Sequence, residues 1–237
     1  MLSVKGIGFL VIFIIVHLCS KYLTILHRKT LSKFLSMASG VSVSYIFIHL
    51  LPKLNKYEEI TEPKFGFIEN TTYYFAMIGL VSFSGLERVV RRESNWSSRL
   101  RGKGIFWIHL ISFSVYNSLI GYILVRGDNQ RFIDLVLYII AIAIHFISVN
   151  HGLSDLHNRL YDKFGRWILT FSIAIGWATG AFFHINAEII GVLFGFLSGS
   201  ILLNVIKEEL PVDRESNYWA FASGIVLYSF LLFLMNK

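Results

Sequence analysis

Eight stretches of mostly apolar residues follow one another along the chain, at 6–26, 31–53, 70–90, 104–126, 131–155, 165–185, 187–208 and 216–235. Each is close to the roughly 20 residues that a helix needs to cross a hydrocarbon core of about 30 Å. The runs are long and unbroken, so they predict helices and not the alternating strands of a barrel. Hydrophobic residues make up 54% of the 237 and charged residues 16%, more apolar than a water-soluble fold covers with its polar surface. The expected fold class is all-α: one polytopic membrane helix bundle over residues 1–237, with the bilayer as its solvent and partner.

Charge placement orients the bundle. With the N-terminus outside, one set of loops carries Arg28, Lys29 and Lys33, the run from Arg88 to Lys103, then Arg159, Lys163, Arg166, Lys207 and Arg214. The other set carries half as many basic residues, among them Lys53, Lys56, Lys64, Arg126 and Arg131. Basic loops stay cytoplasmic, so both termini are expected outside the cytoplasm of the plasma (inner) membrane. The net charge of +7 is accounted for by this bias and by anionic lipid head groups, and no nucleic-acid partner is implied. The first segment also has the basic start of a signal sequence, but it is long and lacks a small-residue cleavage site, so a retained helix is expected. The single cysteine, Cys19, offers neither a disulfide framework nor a thiolate cluster and is expected to be a buried thiol. Asn55 to Glu69 reads as the longest loop outside the membrane.

Ser39-Gly40 and Leu51-Pro52 recur as Ser198-Gly199 and Leu210-Pro211, each shifted by 159 positions (198 − 39 and 211 − 52). A fainter echo joins Phe75-Ala76 and Gly79-Leu80-Val81 to Phe221-Ala222 and Gly224-Ile225-Val226. With the expected topology, the two copies start on opposite sides of the membrane. The organisation predicted is therefore 3+2+3: a first repeat over 1–92, central helices over 104–155, and a second, inverted repeat over 165–237. Inverted repeats commonly pack around a site near the bilayer midplane, which points to the fourth and fifth segments.

These motifs resemble the ZIP family of metal-ion transporters. Ser39-Gly40 followed by Ile48-His49-Leu50-Leu51-Pro52 is similar to that family's Gly to His-Leu-Leu-Pro helix. Ser84-Gly85-Leu86-Glu87-Arg88 is similar to its Leu-Glu-Lys ending, and Ser198-Gly199 to Glu209-Leu210-Pro211 resembles its late Ala-Gly to Leu-Pro-Glu segment. The resemblance implies eight helices with outward termini and a divalent cation such as zinc as cargo, and it leaves a homodimer open.

The metal site itself departs from the family. Anchored on Gly121, Ser112, Phe113, Tyr116 and Asn117 stand where the family has His, Asn, Asp and Gly. Anchored on Gly152, His145, Phe146, Ser148, Val149 and Asn150 stand at its His, Glu, Pro, His and Glu positions. By this alignment His145 is the surviving ligand and Asn150 replaces a carboxylate, so these two are the candidate metal residues. A neutral set of this kind holds a divalent ion weakly.

Polar residues within membrane helices are functional candidates by default. His109, Ser112 and Tyr116 share one helical face with Asn117 beside it, and His145, Ser148 and Gly152 form a second stripe. Together with His49 near the outer mouth, His109, Ser112, Tyr116, Asn117 and Ser148 are the expected pathway lining, while His151, Asp155 and His157 form a candidate inner exit site. The same Ser, Asn and Tyr side chains also serve as packing contacts between helices. His17, His27 and His184 have no evident partner. No enzyme motif is present, and Asn70-Thr71-Thr72 matches a glycosylation acceptor. Three readings follow: a divergent metal transporter, the same scaffold with an uncharged or other non-metal cargo, or a transport-inactive membrane protein with an assembly or regulatory role.

Overall fold

The computed structural model describes residues 4–20, 22, 28–61, 69–94, 99–126, 132–209 and 217–235, and among these the chain is helical with no strand. The helices are α1 (Val4–Cys19), α2 (Arg28–Tyr45), α3 (Leu51–Thr61), α4 (Thr71–Ser94), α5 (Arg99–Arg126), α6 (Phe132–Leu160), α7 (Arg166–Phe182), α8 (Ala187–Asn204) and α9 (Tyr218–Met235). A π-helical turn, Ile46–Leu50, joins α2 to α3 as one rod, so the described chain forms eight rods. Four are long and apolar enough to cross a membrane: Leu31–Thr61, Phe106–Arg126, Leu135–His157 and Ala187–Lys207. Large apolar side chains such as Phe47, Val81, Phe171 and Val226 point outward from the bundle. Water would penalise that surface and lipid does not.

The second segment continues further than its apolar run. Pro52 lacks an N–H and its ring would meet the carbonyl four residues back. The π turn just before it, closed by Leu51 N–H on the Ile46 carbonyl, widens the helix where that clash would fall. The rod then runs on to Thr61 and buries Leu54, Tyr57, Glu58 and Thr61. Asn55 to Glu69 is therefore not all loop: its first seven residues are helix, and 62–68 lie outside the described residues.

Three pairs of helices run side by side in the same direction, each at a crossing where small residues bring backbones together. Along α2 and α9, Asn217 N–H donates to Ser36 Oγ, and Ser44 and Ser229 hydroxyls meet at 2.7 Å. Along α4 and α8, Gly195 lies against Thr72 and Gly199 against Ala76. Along α5 and α7, Gly121 and Gly176 pack into the partner's backbone. α8 runs against the α2–α3 rod, with Tyr57 packed on Phe194 at 4.8 Å and Thr61 against Gly191. Between α6 and α7 the chain reverses within the π-helical turn Tyr161–Gly165, where a Cβ on Gly165 would strike the Tyr161 ring.

The shift of 159 positions has a structural counterpart. Adding 159 to the π turn Ile46–Leu50 gives Val205–Glu209, which is also π-helical. Gly40 lies against the Phe221 carbonyl, and Gly224 against that of Met37. Across the other crossing, Gly199 lies against the Ala76 carbonyl, and Gly79 against that of Phe196. Adding 159 converts Gly40 and Met37 into Gly199 and Phe196, while adding 145 converts Ala76 and Gly79 into Phe221 and Gly224. The two crossings are thus related residue by residue.

Packing divides the helices into two sets. α2, α3, α4, α8 and α9 hold one another, as do α1, α5 and α7; α6 lies between the sets, against α1 and α2, and the sets also meet where α5 packs on α4 and α8. Cys19, expected to be buried, is exposed on α1.

Candidate functional site

The polar centre lies where α1, α5 and α6 converge. His17 of α1 is buried between Asn117 of α5 and Asn150 of α6, all three at most 1% exposed. Its Nε2 is 2.9 Å from Asn117 Oδ1 and its Nδ1 is 3.0 Å from Asn150 Nδ2. The bonding around Asn117 fixes the arrangement. Asn117 Nδ2 donates to the Phe113 carbonyl at 2.7 Å, which turns its Oδ1 toward His17. In the neutral imidazole the proton therefore sits on Nε2, and Nδ1 accepts from Asn150 Nδ2. Phe146 packs on the His17 ring at 4.7 Å, and Phe13 closes on Phe146 at 5.2 Å, so the amides and imidazole are shielded from water.

Beside Asn117 on α5, Tyr116 forms a second buried pair with His145 of α6, the phenol oxygen 2.9 Å from His145 Nε2. Phe83 of α4 covers Tyr116 at 6.0 Å and Phe113 at 5.8 Å, so the other helix set seals this side. The two candidate metal residues are thus engaged separately, His145 by Tyr116 and Asn150 by His17. Five residues apart on a helix, they point to faces about 140° apart.

At the far end of α6, His157 turns to His109 of α5, with Nδ1 of His109 3.3 Å from Nε2 of His157. Among the candidate exit residues, His157 is half-buried, His151 is half-buried and Asp155 is exposed, so His109 and not Asp155 is the partner brought to His157. Ser112 spends its hydroxyl on the Ile108 carbonyl in its own helix. Ser148 Oγ is buried without a hydrogen-bond partner among the described residues, and His49 is half-buried with its ring stacked on Tyr45 at 5.5 Å. Among the described residues no three His, Cys, Asp or Glu side chains lie close enough to hold a metal ion together.

Neither a scan of protein-family models nor a search of curated proteins finds a match to this chain. The chemistry therefore rests on its own geometry. Buried amides, imidazoles and a phenol offer neutral donors and acceptors, and two imidazoles suit borderline metals such as zinc better than magnesium or calcium.

Two buried, hydrogen-bonded polar side chains were not legible as such in the sequence. His17 has no polar neighbour on its own helix, and only the approach of α5 and α6 gives it partners 100 and 133 positions away. Glu58 lay in an apparent loop, yet it is buried and accepts the Thr72 N–H through Oε2 at 2.6 Å, holding the start of α4 to α3. His184 is joined to Arg126 where α5 and the α7–α8 break meet. His27 lies outside the described residues, as do the side chains of Glu87, Asp134, Glu208 and Glu209.

Proposed function

We propose that the chain is a ZIP-like secondary transporter that moves a divalent metal cation such as zinc across the plasma membrane. In this reading eight spans form a 3+2+3 inverted repeat with both termini outside, and the cargo passes the polar centre of α1, α5 and α6. The observation that carries it is the convergence of five polar side chains, His17, Tyr116, Asn117, His145 and Asn150, each at most 2% exposed, from three helices of a bundle with apolar outer surface. Such residues are costly in a membrane and mark substrate pathways.

The reciprocal glycine crossings and the paired π turns support the repeat. The two crossings, related by exchange of α2 with α8 and α9 with α4, give each half the same hinge chemistry facing opposite ways. Movement of one helix set against the other would then open the centre to one side at a time.

The same residues also support a second reading, an uncharged cargo, because the centre is built of amides, imidazoles and a phenol bonded to one another, with no carboxylate among them. Uptake into proteoliposomes separates the two. Zinc, cobalt or iron(II) accumulation above empty liposomes, reduced in His145→Ala, supports the metal reading. Uptake no faster than in empty liposomes discards it.

A further inference from the structure

The two imidazoles at the His157 end of the bundle lie at a separation with chemical meaning. His109 Nδ1 and His157 Nε2 are 3.3 Å apart, a spacing that a long hydrogen bond between the two rings spans and that a shared metal ion spans equally well. Two nitrogens bound to one tetrahedral metal at about 2.0–2.1 Å stand about 3.3–3.4 Å apart. We propose that His109 and His157 form a two-histidine site for a borderline divalent cation of the zinc, cobalt or nickel class.

The surroundings hold both rings for that task. His109 is 7% exposed on α5 and packs on Phe113 at 5.1 Å, while Phe106 stands edge-on to His157 at 5.3 Å. Aromatic walls on both rings restrict their rotation and keep the two nitrogens facing. His157 is half-buried, so its open side admits the water molecules that complete a tetrahedron around two protein ligands. Two imidazoles and water hold a metal less tightly than a closed site of four protein ligands, as an ion that must leave requires. The aqueous ligands also explain why no cluster of three protein ligands is needed here.

As a station on the cargo's way out this site rests on the transport reading, but as a binding site it stands on its own geometry. The site also ties α5 to α6, the two helices that bear Tyr116, Asn117, His145 and Asn150, at their common end. Metal bound there stiffens the frame of the centre above it.

Cobalt(II) titration of the purified full-length protein in detergent, read by its visible ligand-field absorption, tests the site. Wild type is expected to give the intense absorption of tetrahedral cobalt with imidazole ligands. His157→Ala and His109→Ala each weaken binding at least about tenfold, and the double substitution adds little. His184→Ala, at the opposite end, retains the signal. His157→Gln, a milder change at a half-exposed position, reports the same loss if the alanine variant does not fold. Cobalt binding that is absent in wild type, or unchanged in folded His157 variants, overturns the site whatever uptake shows. Cobalt binding lost on these substitutions, with no metal uptake by wild type, upholds the site and overturns the transport reading alone.

Discussion

Gly40 and Gly199 occupy equivalent points of two helix crossings, Gly40 against the Phe221 carbonyl and Gly199 against the Ala76 carbonyl, each too close to its neighbour for a Cβ. Because the obstacle is backbone in both cases, no side chain can swing aside to make room. Gly40→Ala and Gly199→Ala are each expected to destabilise the protein by about 1–3 kcal/mol through overpacking, and by similar amounts. Gly8→Ala and Gly85→Ala, where nothing lies within 4 Å, are expected to be neutral. Thermal unfolding of the purified variants checks both statements, and equal stability of all four would contradict the close crossings.

His17 sets the hydrogen bonding of both central amides. His17→Ala leaves Asn117 Oδ1 and Asn150 Nδ2 without their partner in a sealed space, at an expected cost of about 1–3 kcal/mol. His17→Gln, which carries a donor and an acceptor, should recover part of it. Unfolding midpoints of the two variants decide the matter: a stable alanine variant would mean that the amides find other partners.

Tyr116 restrains His145 through the 2.9 Å contact with Nε2. Tyr116→Phe keeps the ring against Phe83 and removes only the hydroxyl, so stability should fall by about 0.5–1.5 kcal/mol, and on the proposed transport reading metal uptake should fall with it. Uptake measured in proteoliposomes tests the link. Rates equal to wild type would remove Tyr116 from the pathway.

Glu58 fastens α3 to the first turn of α4. Glu58→Ala removes the acceptor of the Thr72 N–H, a loss of about 1–3 kcal/mol for a bond to a carboxylate, whereas Glu58→Gln retains an acceptor oxygen. Hydrogen exchange at the Thr72 amide is the direct readout. It should accelerate in the alanine variant and much less in the glutamine variant.

Helix content and apolar outer surface were legible in the sequence, because a membrane-length run of apolar residues has one economical solution, a hydrogen-bonded helix. The breaks were legible where composition changes, as between α7 and α8, where Phe183 to Asn186 separate two apolar helices. The continuation of α3 was not. Its residues are polar on average, and it is the packing of Tyr57 and Thr61 on α8 that keeps it helical. The candidate site was half legible: Tyr116, Asn117, His145 and Asn150 announced themselves as polar residues in apolar helices, but their pairing did not follow from spacing along α5 or α6. His145 and Asn150 looked like one ligand pair and are engaged by different partners. His151, Asp155 and His157 read as one candidate exit site, and the approach of α5 that brings His109 to His157 could not be read from their spacing.

By itself the sequence determined the helices and the small residues at their crossings, since backbone hydrogen bonding in an apolar solvent and the size of a side chain are local properties. It also carried the shift of 159 positions that relates Gly40 to Gly199. Only the tertiary structure decided which polar groups meet. A buried imidazole takes whatever partner the neighbouring helices present, and His17 acquired Asn117 and Asn150 because α1, α5 and α6 converge where all three lose contact with water.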